Sequence, residues 1–231
     1  VTYEEVSQDG KYLHDGSVLA VKFVNRGRTY EAVRYVDPDG NACITTSDGG
    51  SLGEILRVDN PTSATPSIHS FYGGLGFGSG LAFDSAGRLY AGDLDFNYFD
   101  YTSTITVYLL NDLDDNGVIA GAGESTVVSY DQLSGLYDLA VSPEDEVFLT
   151  GNNEVRVLNT ATGTSTLFAH DDAFTFLSDL VFLNPAGGFA PFSGPGGATL
   201  LVADPNSDGL IAAITPATLP PSGISDWNLF Q

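Results

Sequence analysis

The densest chemistry in this sequence lies between residues 112 and 124. Asp112-Leu-Asp114-Asp-Asn116-Gly117-Val118-Ile119 puts side-chain oxygens at positions 1, 3 and 5 of a cation-loop pattern, glycine at 6 and an apolar residue at 8. Alternating oxygens wrap one hard cation such as calcium, glycine permits the bend, and Val118 at position 7 would offer its backbone carbonyl. Position 12, where a bidentate glutamate belongs, is Gly123, and Glu124 follows one residue late. Asp112, Asp114, Asn116, Val118 and Glu124 are therefore candidate calcium ligands. The competing reading is a solvated acidic turn.

The pattern recurs at Asp204-Pro-Asn206-Ser-Asp208-Gly209-Leu-Ile211, where position 12 is Thr215 and no glutamate follows. Asp204, Asn206 and Asp208 are candidate calcium ligands here, against a plain Asp-Gly hairpin turn. A third acidic stretch, Asp93-Leu-Asp95-Phe-Asn97-Tyr-Phe-Asp100, alternates oxygens without a glycine. Its aromatic residues Phe96, Tyr98, Phe99 and Tyr101 offer two readings, a platform for a sugar ring or packing against a neighbouring unit. Phe189 and Phe192, in the glycine-rich segment Gly187–Gly197, pose the same choice between a partner contact and loop packing.

A search for catalysis is less productive. His14, His69 and His170 fall in different parts of the chain with no recurring partner, so spacing argues for neither a Ser/His/Asp triad nor a histidine-rich metal centre. No GxSxG elbow, phosphate-cradling loop or CxxC pair is present. Carboxylates are so numerous that no particular pair stands out, and no catalytic residue is assigned.

Charge narrows the partners. Thirty acids against eight bases give a formal net charge of −22 over 231 residues. Lys11 and Lys22 are the only lysines, which excludes nucleic acid as a direct partner, since phosphate binding needs clustered cations. An anionic membrane surface would repel the chain, and no apolar run is long enough to span a bilayer as a helix. The chain lacks methionine and begins with Val1, which reads as a processed, exported form. Its lone cysteine, Cys43, permits no internal disulfide and reads as a small buried side chain.

The elements that must carry these residues show themselves as a repeat. A strand, a turn rich in Asp, Gly, Pro or Ser, and a second strand occur four times: EAVRYV-DPDG-NACITT from Glu31, GLAF-DSAG-RLYAGD from Gly80, DLAV-SPED-EVFLTG from Asp138, and DLVF-LNPAGG from Asp179, resuming at Ala198. The equivalent positions Val33, Ala82, Ala140 and Val181 are 49, 58 and 41 residues apart, the longest gap holding the Asp112–Glu124 insertion. Periods near 40 to 50 residues without helical periodicity are those of propeller blades. Third strands are expected at Gly53–Val58, Thr104–Leu110, Glu154–Leu158 and Gly209–Ile214, and fourth strands at Ser67–Tyr72, Ser125–Tyr130, Ser165–His170 and Ile224–Phe230.

The expected fold class is all-β, a β-propeller of four recognisable four-stranded blades plus an N-terminal β element, hence four or five blades. The element covers residues 1–29 and the repeats 30–231, with blades at about 30–74, 77–133, 134–171 and 172–231. Val18–Val24 is a strand candidate within the element, and Asn25–Arg28 with Gly27 is expected to turn it back onto the first blade as a hairpin. The element would then close its own ring or pair with a neighbouring subunit.

The stretch Ile105–Asn159, ITVYLLNDLDDNGVIAGAGESTVVSYDQLSGLYDLAVSPEDEVFLTGNNEVRVLN, resembles a blade of extracellular propellers related to sugar dehydrogenases and gluconolactonases. In that family an Asp-rich DxDxDG insertion joins a third to a fourth strand and GLA opens the next blade. The resemblance spans roughly Gly80–Asn159 and implies a propeller, secretion and calcium. The family's cofactor-facing His and Arg and its metal-binding Glu and Asn have no matching positions here, and its usual six blades exceed this chain's length.

Two functions are thus expected to compete. The first is an extracellular, non-catalytic propeller acting as a structural or interaction module, calcium-stabilised and self-assembling as a homo-oligomer or filament through its termini. The second is a calcium-dependent hydrolase or oxidoreductase acting on a sugar or lactone, a carbohydrate ligand in the central channel.

Overall fold

The computed structural model describes residues 2–4, 19–25, 28–34, 41–46, 53–60, 67–76, 78–97, 102–131, 138–151, 153–183, 199–204, 210–214 and 228–230. Every regular element among them is a strand. An N-terminal sheet joins β1 (Thr2–Glu4), β2 (Leu19–Asn25) and β3 (Arg28–Arg34). Blade 1 joins β4 (Ala42–Thr46), β5 (Gly53–Asp59) and β6 (Ser67–Leu75). Blade 2 runs β7 (Gly78–Phe83), β8 (Leu89–Asn97), β9 (Thr102–Leu110) and β10 (Ser125–Asp131). Blade 3 runs β11 (Leu139–Val141), β12 (Val147–Thr150), β13 (Glu154–Asn159) and β14 (Thr164–His170). Blade 4 runs β15 (Asp179–Leu183), β16 (Thr199–Asp204), β17 (Leu210–Ile214) and β18 (Asn228–Phe230).

Each sheet is an antiparallel meander, and the repeat read from sequence reappears as ladder register. Ala82 opposes Tyr90, Ala140 opposes Phe148 and Val181 opposes Leu201. The turns are built alike from different residues. Asp84 Oδ1 accepts from the N–H groups of Ala86 and Arg88 at 3.0 and 2.9 Å, and Ser142 Oγ accepts from those of Glu144 and Glu146 at 3.1 and 3.2 Å. The two turns are also laced together, because Ser85 donates its N–H and hydroxyl to Asp145 at 2.7 and 2.6 Å.

One expected pairing is different. The repeat predicts Glu31–Val36 as the opening strand of blade 1; β3 pairs with β2 from Leu19↔Arg34 to Asn25↔Arg28, as the expected hairpin requires, but no ladder among the described residues joins β3 to β4. Two residues separate the last pair, so the hairpin closes at small entropic cost. The hairpin at Asn25–Arg28 is as expected; the hydrogen-bonded part of blade 1 is β4-β5-β6.

The core lies between sheets rather than within any one. Cys43, Ile55, Phe71 and Leu75 from blade 1 pack with Leu81, Leu89, Ala91 and Leu110 from blade 2. Ala82, Tyr90 and Val107 of blade 2 meet Leu139, Val147, Leu149 and Leu158 of blade 3. Phe148 of blade 3 meets Phe182 of blade 4 edge-on at 5.0 Å, in a cluster holding Leu180, Leu200, Val202 and Ile214. Strands β4, β7, β11 and β15 touch in succession, which makes them the inner strands of the array.

The inner seam tolerates no side chain at Gly80. A methyl there would collide with the Asp138 carboxylate and the Leu139 nitrogen, one of them main chain that cannot swing away. Gly80→Ala is expected to destabilise the protein by about 1–3 kcal/mol. The check is a lower denaturant midpoint at unchanged slope; an unchanged midpoint would mean that blades 2 and 3 are not in contact there.

Candidate metal site at the seam of blades 1 and 2

The insertion between β9 and β10 supplies the site. Asp112 begins it just after β9, and its carboxylate gathers the loop: Oδ1 accepts from Asn116 N at 3.1 Å and Oδ2 from Gly117 N at 2.7 Å. Asn116 Oδ1 then accepts from Val118 N at 2.8 Å, and Asn116 Nδ2 donates to Asp114 Oδ2 at 2.8 Å. Gly117 has φ +79°, a left-handed backbone that glycine adopts without strain. A Cβ at that position would also lie 3.2 Å from His69 Nε2.

Glu124 returns to this loop from the foot of β10. It is 3 % exposed, with Oε1 accepting from Leu113 N at 3.3 Å and Oε2 from Ala120 N at 3.0 Å and from Gly121 N. The Gly121 N–H, helped by those of Ala120 and Leu113, holds this carboxyl below the usual glutamate range, so it is an anion at neutral pH. Oε1, with a single N–H donor, keeps a second lone pair for a ligand, whereas Oε2 already accepts two. One oxygen each from Asp112, Asp114 and Glu124 lies within 4.8 Å of the others. The structure thus gathers three of the residues singled out from sequence, including the glutamate displaced by one position. Oxygens at this spacing, negatively charged and with an amide oxygen at Asn116 nearby, suit a hard divalent cation.

The loop is docked on blade 1. Ile119 is 6 % exposed and packs into the cluster shared by blades 1 and 2, and its N–H donates to Phe71 O at 2.7 Å. His69 Nε2 lies 2.9 Å from Gly117 O while its Nδ1 faces Asp59 Oδ2 at 3.3 Å. Arg57, paired to Asp59 at 2.8 Å, stands 3.9 Å from Asp112 Oδ2. These contacts were not legible from spacing; the apolar residue at position 8 was the only signal for them.

Asp204 has other partners. It is 0 % exposed, and Oδ2 accepts from Thr175 N at 2.6 Å and Phe176 N at 3.2 Å, fastening the approach to blade 4. Asn206 and Asp208 lie outside the described residues, as do His14, Tyr98, Phe99, Tyr101, Phe189, Phe192 and the side chain of Phe96. His69 and His170 sit on the outer strands β6 and β14, and His170 Nε2 lies 2.9 Å from Asn153 Nδ2. Among the described residues, Asp112, Asp114 and Glu124 form the only grouping of three or more His, Cys, Asp or Glu with convergent ligand atoms.

No protein-family model matches the chain, and no curated protein matches it in sequence. Solved structures do match in fold. A chain of a nidogen/laminin complex superposes with a TM-score of 0.54 at 13% identity, over 88% of this chain and 72% of that one. A gluconolactonase from Xanthomonas campestris, described as important in glucose secondary metabolic pathways, superposes with a TM-score of 0.50 at 12% identity. That match covers 80% of this chain and 62% of the gluconolactonase, so the chain spans less than two thirds of its length. The chain is an all-β propeller whose fold is shared with gluconolactonase-like propellers.

Proposed function

We propose that this protein is an extracellular, non-catalytic β-propeller module whose first two blades are fastened by one calcium ion. The ion would be held by Asp112, Asp114, Asn116, Glu124 and the carbonyl of Val118. The observation that carries this reading is the convergence of three carboxylates within 4.8 Å in a loop whose Ile119 is seated between the blades. Binding there would hold the loop against β6 as well as neutralise the densest local charge.

As an interaction module the propeller is proposed to associate with copies of itself. The support is apolar exposure on its outer strands, Val127 on β10 at 53% and Leu167 on β14 at 50%, edges that natural propellers must otherwise protect. The terminal strands β1 and β18 pair with β2 and β17 of the same chain. Imaging of native particles that finds monomers at every concentration would remove the self-association.

Calorimetric titration of calcium into chelator-treated protein tests the ion. One site per chain is expected, weakened at least about tenfold by Glu124→Gln, the loss of a charged ligand costing about 1.4 kcal/mol or more. Absence of binding at millimolar calcium would overturn the calcium part of the reading.

A second reading, hydrolysis of a sugar lactone in the channel, draws on one observation. Asp138, 8% exposed just before β11, accepts the Leu180 N–H of β15 at 3.0 Å, and the exposed Asp179 begins that neighbouring inner strand. Lactone hydrolysis that Asp179→Asn abolishes would replace the module by the enzyme.

A further inference from the structure

Blades 2 and 3 use the same register positions to meet the blade that follows. Ala82 and Tyr90, opposed across β7 and β8, pack against blade 3, and Ala140 and Phe148, opposed across β11 and β12, pack against blade 4. All four are at most 4% exposed. The equivalent pair in blade 4 is Val181 and Leu201, and there the burial stops: Val181 is 36% exposed and Leu201 half-buried. Two positions along β16, on the same face, Ala203 is half-buried and its partner Ile211 is 54% exposed. The opposite face of this sheet, with Leu180, Leu200, Val202 and Ala212, is buried in the cluster shared with blade 3. Near-continuous apolar strands such as Leu210–Ile214 suit a sheet covered on both sides. Among the described residues, only one side of blade 4 is covered in this way.

The sheets touch in order, β3 with β4, β4 with β7, β7 with β11 and β11 with β15, and no comparable contact joins β15–β18 back to β1–β3 among the described residues. The N-terminal sheet and blade 4 are therefore the two ends of the array. These ends differ in charge. Residues 1–34 carry five of the eight bases, Lys11, Lys22, Arg26, Arg28 and Arg34, against five acids, and are neutral overall. Residues 35–231 thus carry the whole net charge of −22, and residues 172–231, which hold blade 4, have five acids and no base. On the N-terminal sheet, Tyr3 opposes Phe23, Phe23 opposes Tyr30, and Val21 opposes Ala32. Arg28 and Arg34 fall in the same alternation along β3 as Tyr30 and Ala32.

We propose that blade 4 of one copy docks its face of Val181, Leu201 and Ile211 on the N-terminal sheet of a second copy, so that molecules associate head to tail. This contact rests on the self-association reading, and it lies at the two ends of the array rather than on the outer strands. The N-terminal sheet of the second copy takes the place that the following blade holds for blades 2 and 3. A neutral end bearing cations is the part of one acidic molecule that the acidic end of another repels least. An exposed apolar face of this kind marks an interaction site. Because the two patches differ, the contact is heterologous: it closes into a ring where the rotation between copies permits, and otherwise grows as a filament.

Sedimentation of the whole chain over a range of concentration tests the docking. Wild type is expected to form species larger than a dimer. Ile211→Asp is expected to weaken association at least about tenfold, since the docked face would then bury an unpaired carboxylate. Arg28→Glu with Arg34→Glu, which takes the N-terminal end from neutral to −4, is expected to block the other patch by repulsion. Where wild type assembles, each variant alone should be mostly monomer, and their equimolar mixture should give dimers and nothing larger, because each retains the patch that the other lacks. Wild type that stays monomeric at every concentration would overturn self-association as a whole. Assembly of Ile211→Asp equal to that of wild type would overturn the head-to-tail contact alone, as would a mixture that stays monomeric. Hydrogen exchange of wild type, dilute against concentrated, needs no variant. Slowing is expected in β1–β3 and β15–β18; slowing confined to β10 and β14 would overturn this docking while leaving the self-association in place.

Discussion

Ile119→Ala is expected to lower stability by about 2–5 kcal/mol, or roughly 5–20 °C in Tm for a chain of this size. Ile119 belongs to a surface insertion, yet it is 6% exposed and lies among Phe71, Leu75, Leu81 and Leu110. Truncation removes apolar contact from both blades at once and leaves a void that main chain on either side prevents from collapsing. Leu113→Ala in the same loop is the control. Leu113 is 61% exposed, so its loss should fall within about 0.5 kcal/mol of neutral. Similar melting curves for the two variants would mean that the loop is not anchored between the blades. Anchoring also predicts that Ile119→Ala binds calcium more weakly while every oxygen ligand is retained.

Chelation of calcium is expected to lower Tm by roughly 5–10 °C when the ion had been present at about 100 times its dissociation constant. A ligand bound only by the folded state then contributes about 2.7 kcal/mol, and each kilocalorie shifts Tm by about 2–4 °C in a domain of 150–250 residues. The protein's net charge of −22 makes the control important, since any salt screens repulsion. Sodium chloride at matched ionic strength should recover only part of the shift, and Glu124→Gln should abolish the calcium-specific remainder. Equal protection by sodium and calcium would reduce the effect to screening. Magnesium should protect less, because it demands a smaller octahedral cage and gives up its water reluctantly.

Much of this protein could be read before any coordinate. Strand-turn-strand repeats identified blades 2, 3 and 4 because their strands are short, apolar and separated by residues with one physical use each: Asp84 and Ser142 cap turns by accepting backbone N–H bonds. For Glu31–Arg34 the same reading foresaw the strand and its hairpin with Val18–Val24, but the ladder it expected with Ala42–Thr46 is not found among the described residues. Pairing with β2 uses one edge of the strand, and the partner of the other edge is set by how the next sheet packs, which spacing does not record. At the candidate metal site, the alternation of Asp112, Asp114 and Asn116 was informative because neighbouring oxygens two apart can face one point. Glu124 was offset in that pattern, and its burial against the N–H groups of Leu113, Ala120 and Gly121 depends on how the loop folds back.

The sequence by itself determined local matters: which segments are strands, where the turns lie, that the chain repeats, and that its acids concentrate in a loop suited to a hard cation. Each rests on interactions between residues a few positions apart, which spacing records directly. Tertiary structure alone decided that Ile119 bridges blades 1 and 2, that Asp204 is bound by Thr175 and Phe176, and that Asp138 accepts the Leu180 N–H across a seam closed by Gly80. Asp138 and Asp179 are 41 positions apart and begin equivalent phrases of the repeat. The bond from Leu180 N to Asp138 arises only because packing lays the inner strands of blades 3 and 4 side by side, a juxtaposition that spacing within either phrase does not record.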